Sequence, residues 1–184
     1  ADYVRVVSRQ GPSGSVVTIP VEIYDVAGLA VTAVDLDLLY DDLVLTPTSD
    51  VGGVIAVTTT GGVVPGAWSV IQHVPTPGQL SISLAGAFDA PLPTGGLLVH
   101  IDFDVAPTAT ADTTPPSAIQ ITAARLNEGA VSITGVDGTF TVLDLMYGDV
   151  TGDGVPDLIA SVLTPGRVGL VLLHMTTEGH VKHS

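Results

Sequence analysis

Apolar and polar residues alternate with a period of two along most of the first 143 residues. The clearest case is 97–105, where every second residue, starting at Leu97, is apolar and predicted to face the core, while Leu98, His100, Asp102 and Asp104 are predicted to face outward. Because successive residues of a strand lie on opposite faces, such alternation predicts half-buried β-strands. The same pattern predicts further strands at 17–24, 34–40, 80–84, 119–126, 131–134 and 139–143.

Clusters of glycine and proline separate these segments, and no part of 1–143 has a helical period. The clusters lie at 11–14, 52–53, 61–62, 75–78 and 91–96. Short alternating strands with such turns are typical of an antiparallel β-sandwich of the jelly-roll or immunoglobulin type. The Thr- and Pro-rich stretch 106–117 has strands on both sides, so we interpret it as a long loop of the sandwich. The predicted organisation is a sandwich over 1–143 followed by a short appendage over 144–184.

Four groups of segments follow one another in an order that resembles a cohesin domain over residues 14–143. They read GSVVTIPVEIYDVAGLAV, then VDLDLLYDDLVLTPTSDVGG, then QLSISLAGAF with GGLLVHIDFDV, and finally ARLNEGAVSITGVDGTFTV. Within the second, Tyr40-Asp41 before the apolar triplet 43–45 resembles a turn of that family. The resemblance implies a jelly-roll sandwich of about nine strands. It also implies a non-enzymatic module that binds dockerins through one sheet face.

An acidic loop after residue 148 has the oxygen spacing of a calcium site. Side-chain oxygens are available from Asp149, Thr151, Asp153 and Asp157, and Val155 offers its carbonyl, at positions 1, 3, 5, 9 and 7 of the loop. Calcium takes six to eight oxygen ligands, and carboxylates this close repel one another without a cation. The spacing therefore predicts calcium as a cofactor.

The loop opens like two known calcium motifs. A dockerin repeat needs an acid at position 12, where this chain has Ala160. The sequence GDVTGDGVPDLIAS resembles a single FG-GAP propeller blade more closely, although one blade does not make a propeller. Both interpretations stay open.

The segment 158–175 is almost entirely apolar. Its second half includes Val168, Leu170, Leu172 and Leu173, which we name as candidate partner-binding residues. A strand that is apolar on both faces has to be covered on both. It can fold onto its own sandwich, pack against further blades, or be donated head-to-tail to another copy, which builds a filament.

Charge and composition exclude several functions. Nineteen acids against five basic residues give a net charge of −14, which is unsuited to binding nucleic acid. No apolar stretch reaches the roughly 20 residues of a membrane span. The 184 residues contain no cysteine, which excludes disulfides and thiolate chemistry. The opening Ala-Asp-Tyr-Val is typical of a mature end after signal-peptide removal.

No catalytic constellation is present, since the sequence lacks HExxH and GxSxG, so we expect no enzyme activity. Trp68 with Tyr24 and Tyr40 could form a sugar-stacking platform, although core packing of Trp68 is the favoured interpretation. The predicted function is a secreted or cell-surface, calcium-stabilised module that mediates assembly. Its partner would be copies of itself in a fibre or a dockerin-like module, and a carbohydrate-binding module is the alternative.

Overall fold

The computed structural model describes residues 3–49, 57–86, 91–110, 114–131 and 133–143, together with the backbone of 145–148, 157–164, 167–175 and 181–183. Apart from a 3₁₀ turn at Asn127–Gly129, every regular element in this part of the chain is a strand. The strands are β1 Tyr3–Val6, β2 Arg9–Pro12, β3 Val16–Tyr24, β4 Ala33–Leu39, β5 Leu45–Pro47, β6 Val57–Thr58, β7 Ser69–His73, β8 Gln79–Ala85, β9 Gly96–Val105, β10 Ser117–Leu126, β11 Thr134–Val136, β12 Gly138–Leu143, β13 Leu145–Gly148, β14 Asp157–Thr164, β15 Arg167–Met175 and β16 Val181–His183.

Twelve of these strands form two six-stranded sheets. The first sheet has the order β11-β1-β3-β9-β5, with β6 also pairing with β9. The second has the order β2-β12-β10-β4-β8-β7. Pairing is antiparallel except for β1 with β11 and β2 with β12, both of which are parallel. The predicted all-β sandwich is confirmed, and the stretch after β9 leads from the first sheet into the second, as expected of a loop within the sandwich.

The core is aliphatic, as the low aromatic content predicts. Fully buried side chains come from the inward residues of both sheets, among them Ile19, Leu36, Ile82, Ile101 and Phe103. Aliphatic burial stabilises a fold by roughly 25 cal/mol per Å² removed from water, so this cluster holds the two sheets together. Trp68 is 7% exposed and belongs to the same cluster, which confirms its predicted core role.

Two details of the sequence prediction are wrong. Leu98 was expected to face outward but is fully buried, while Leu97 is half-buried. The cause is a register shift between β3 and β9, located between Val21 and Glu22, which changes the face on which residues beyond it lie. The strand expected at 131–134 is displaced to β11, because Val131 forms an isolated bridge with Leu126 next to the 3₁₀ turn.

The strands after residue 143 form a sheet of their own. In this sheet β13, β14, β15 and β16 pair in chain order, and every pairing is antiparallel. The β15 backbone is hydrogen-bonded to β14 on one side and to β16 on the other. β16 pairs only with Leu173–Met175, so among the described strands residues 167–172 have a partner only on the β14 side. No helix in the described part of the chain is apolar and long enough to span a membrane.

Candidate functional site

The outer surface of the second sheet carries rows of polar residues over its central strands. The rows arise because β4 and β8 alternate strictly: their buried leucines, isoleucine and valine fill the core, and the residues between them lie on the outside. Register then places residues of four strands side by side. One row is Arg125, Asp35, Ser83, Ile71, and the next is Ala123, Asp37, Ser81, His73. We call this outer surface of β10, β4, β8 and β7 the docking face.

A ladder of hydrogen bonds orients the two carboxylates of the docking face. The Ser83 hydroxyl donates to Asp35 Oδ1 at 2.6 Å, and the Ser81 hydroxyl donates to Asp37 Oδ1 at 2.7 Å. Arg125 lies 3.7 Å from the second oxygen of Asp37. A carboxylate has about four lone-pair sites, so each Asp keeps acceptor capacity for an incoming donor. The ladder fixes the position of this capacity before any partner arrives.

Apolar side chains adjoin the ladder. Ile71 on the edge strand is 65% exposed, and Leu39 at the end of β4 is 38% exposed. Small side chains at Ser81, Ser83 and Ala123 leave the middle of the face free of bulky groups. A flat surface with oriented acceptors and exposed aliphatic groups has the mixed composition of a protein-binding interface.

A slot opens where the edge strands of the two sheets lie opposite each other, β5 in the first and β7 in the second. Its volume is about 570 Å³, and its lining includes Tyr40, Asp42, Leu45, Pro47, His73 and Val74. Tyr40 packs edge-on against Phe103, with ring centroids 5.2 Å apart. Burial is the largest cause that raises the pKa of Tyr40, so its hydroxyl stays neutral. We call this cavity the edge slot.

The outer surface of the first sheet is organised differently along β1 and β3, because the charged groups of these two strands satisfy one another. Arg5 donates to Glu22, and Tyr24 donates its hydroxyl hydrogen to the same carboxylate. The Tyr24 hydroxyl is the largest cause that lowers the pKa of Glu22, and Arg5 is the second. Tyr3 stacks on Tyr24 with ring centroids 4.6 Å apart. Their mutual pairing leaves these groups less available to a partner than the aspartates of the docking face.

The sugar-stacking platform is not formed by the three aromatic residues that suggested it. Tyr40 and Trp68 are 6% and 7% exposed and belong to the core. Tyr24 lies on the outer side of the first sheet, where it stacks on Tyr3. The structure therefore does not bring Trp68, Tyr24 and Tyr40 together on one exposed face.

The predicted calcium ligands Asp149, Thr151, Asp153 and Val155 lie outside the described residues, and Asp157 is the first residue of β14. The predicted partner-binding residues Val168, Leu170, Leu172 and Leu173 all belong to β15. In the part of the chain that the structure describes, no group of three or more His, Asp or Glu side chains could hold a metal ion.

Asp35 and Asp37 alternate with the apolar residues of the predicted strand 34–40, so the pattern places them on its polar side but indicates no role for them. The four residues of the ladder are visible in the sequence as Asp-x-Asp in β4 and Ser-x-Ser in β8. They become a site only through the register that sets Asp35 opposite Ser83 and Asp37 opposite Ser81.

Comparison with known proteins yields a family match and several structural neighbours. The model of the cohesin domain matches residues 4–142. Similar solved structures include CaCohA2 from Clostridium acetobutylicum, with 24% identity and a TM-score of 0.58 over 77% of this chain and 91% of that one. Another is the sixth cohesin of scaffoldin B from Acetivibrio cellulolyticus, solved with a Cel5 dockerin, with 16% identity and a TM-score of 0.63 over 77% and 99%.

A third neighbour is a non-cellulosomal cohesin from the archaeon Archaeoglobus fulgidus. Its identity is 19% and its TM-score 0.60, over 78% of this chain and 91% of that one. Identities at this level show a shared fold and no more. No curated protein matches the chain in sequence.

Proposed function

Because the chain belongs to the cohesin family over residues 4–142, we propose that it binds a dockerin-like protein module on its docking face. Homologous cohesin domains bind dockerins in scaffoldins and are non-enzymatic, and this chain is likewise not an enzyme. The observation that carries the proposal is the Asp–Ser ladder, in which two carboxylates are oriented by serines and Ser83 lies beside exposed Ile71.

The chemistry of the docking face indicates what its partner offers. Ser81 and Ser83 each donate to one carboxylate oxygen, so the remaining acceptor capacity of Asp35 and Asp37 is available to donors of a partner, which would replace water there. Hydrogen bonds to a charged group contribute about 1.5–3 kcal/mol each. A partner surface with hydroxyl or basic donors beside an aliphatic patch meets both the ladder and Ile71. Such a surface can be presented by a helical module.

Calorimetric titration of the full chain with each dockerin module encoded in the same genome tests this proposal. The variant Asp37→Ala is expected to weaken binding by at least about tenfold, which is the effect of losing one central interface contact. The matched control is Asp102→Ala, because Asp102 forms the same kind of hydroxyl–carboxylate pair with Thr18 on the opposite sheet. The control is expected to bind like the parent. Equal losses in both variants, or no binding of any dockerin, would overturn the proposal.

The proposal extends to an extracellular setting and to calcium. The spacing of Asp149, Thr151, Asp153, Val155 and Asp157 supports a calcium site beyond the sandwich. Calcium titration of the parent and of Asp153→Ala tests it. The parent is expected to bind one ion per loop, and the variant at least about tenfold more weakly because it lacks one carboxylate. Unchanged affinity in the variant would refute the ligand assignment.

Self-assembly is the second candidate, favoured by the apolar composition of β15 on both of its faces. Among the described strands, residues 167–172 of β15 are paired with β14 but not with β16, so a strand of another copy can be added along that edge. Sedimentation velocity of the full chain, with calcium and with a chelator, decides the matter. Species that grow with concentration would support assembly through 158–175, whereas a monomer at every concentration would exclude it.

A further inference from the structure

The edge slot is continuous with the docking face. His73 belongs to both, since it is the end residue of one row of the face and also lines the slot. Val74, the next residue, lines the slot and is 40% exposed. A partner that covers the row from Asp37 to His73 therefore reaches the slot entrance. The slot is the only recess among those described that combines this adjacency with a volume of about 570 Å³.

The slot combines apolar walls with one carboxylate. Val74 and Pro77 supply exposed aliphatic surface, buried Leu45 and Tyr40 lie behind it, and exposed Asp42 supplies the charge. In the described part of the chain no lysine or arginine lines the slot, and Asp42 is in no ion pair. The net charge of −14 adds a general attraction for cations. The slot thus suits a ligand with a long apolar stem and a positively charged end.

We infer that the edge slot receives an arginine side chain of the docked partner. The methylene groups of arginine can lie against exposed Val74 and Pro77 while its guanidinium meets Asp42. Guanidinium is preferred over the ammonium of lysine because it is less strongly hydrated, stacks on flat groups and can donate two parallel hydrogen bonds to one carboxylate. This inference rests on the proposed docking function for its setting, but the binding of arginine can be tested without a partner.

The probe is N-acetyl-arginine N-methylamide, titrated into the ¹⁵N-labelled full chain and followed by amide chemical shifts. Shifts are expected at the slot residues Thr46, His73 and Val74, with millimolar affinity. The isosteric but uncharged N-acetyl-citrulline N-methylamide is expected to cause none. Shifts spread evenly over the acidic surface, or equal shifts with citrulline, would overturn the inference.

Two variants make the test specific to the carboxylate. Asp42→Asn is expected to lower the probe affinity about tenfold, the effect of removing a charge-assisted hydrogen bond. Asp104→Asn removes the same charge on the outer side of the first sheet and is expected to bind the probe like the parent. Asp42 and Asp104 are both exposed, so both variants are expected to keep the fold, which the buried Trp68 reports by its fluorescence. Equal affinity of Asp42→Asn and the parent would overturn the inference.

The two proposals fail separately. Binding of the arginine probe in the slot without binding of any dockerin would refute the docking function and leave the slot as a guanidinium site. Binding of a dockerin that is weakened by Asp37→Ala but not by Asp42→Asn, together with a silent probe titration, would refute only the slot.

Discussion

Asn127 links β10, which carries Arg125, to β4, which carries Asp35. Replacing Asn127 gives the sharpest prediction about stability. Its side-chain oxygen accepts hydrogen bonds from the Thr32 and Ala33 backbone N–H groups at 2.8 and 3.2 Å. Its amide nitrogen donates to the Ala30 carbonyl at 3.1 Å. The residue has a φ of 49°, in the left-handed region that asparagine tolerates better than most residues. One side chain thus fixes the start of β4 against the end of β10.

The expected cost of Asn127→Ala has two parts. Loss of the hydrogen bonds to half-buried backbone groups costs about 1–3 kcal/mol in total. A left-handed alanine adds about 1 kcal/mol. The free energy of unfolding is therefore expected to fall by about 2–4 kcal/mol. Asn127→Gly loses the same hydrogen bonds without the left-handed penalty, so it is expected to be about 1 kcal/mol more stable than the alanine variant.

Urea unfolding followed by Trp68 fluorescence measures both variants. Trp68 is the single tryptophan and is buried in the sandwich, so its signal reports on that unit alone. A loss below about 0.5 kcal/mol in Asn127→Ala would refute the role of these hydrogen bonds. Full recovery of parental stability in Asn127→Gly would show that backbone strain accounts for the whole effect.

Three further predictions concern packing, pH and metal. Gly86→Ala places a Cβ in collision with the Trp68 indole, so it is expected to lower the free energy of unfolding by about 1–3 kcal/mol and shift the fluorescence to the red. A Cβ at Gly66 meets no other atom, so Gly66→Ala is expected to change neither. The Tyr24 hydroxyl and Arg5 lower the pKa of Glu22, so its charged form contributes stability above the unfolded pKa of about 4.3 that is lost as pH falls through the folded pKa. The stability difference between the parent and Glu22→Gln should accordingly be constant near neutral pH and shrink below about pH 4; a constant difference down to pH 2 would contradict this. Chelation of calcium should leave the Trp68-monitored unfolding unchanged, because the predicted loop follows the sandwich; a lowered urea midpoint would show that the ion stabilises the sandwich itself.

Strict alternation predicted the long strands well. The expected strand 97–105 corresponds to β9 at Gly96–Val105, and the one at 139–143 corresponds to β12 at Gly138–Leu143. Outside the register shift at Leu98 these strands are buried on one face only, so burial by itself imposes the period of two. Strands β1, β2, β5, β6 and β7 were not predicted. They are two to five residues long and depend on pairing with distant strands, which no local pattern encodes.

The candidate site was less predictable than the fold. Asp35 and Asp37 have the same local pattern as the outward aspartates of β9, and sequence alone does not separate the two pairs. Asp102 of β9 also accepts a hydrogen bond from a hydroxyl, that of Thr18, so what separates the pairs is exposed Ile71 on the edge strand beside the serines of β8. The edge slot depends on β5 and β7, which belong to different sheets. Both features are products of long-range pairing.

The central claim is that the outer surface of β10, β4, β8 and β7 binds the partner. Cross-saturation transfer by nuclear magnetic resonance, from an unlabelled dockerin to the labelled full chain, tests it most directly. Saturation is predicted at Asp35, Asp37, Ile71, Ser81 and Ser83. Saturation concentrated instead on the outer surface of β1, β3 and β9 would contradict the account.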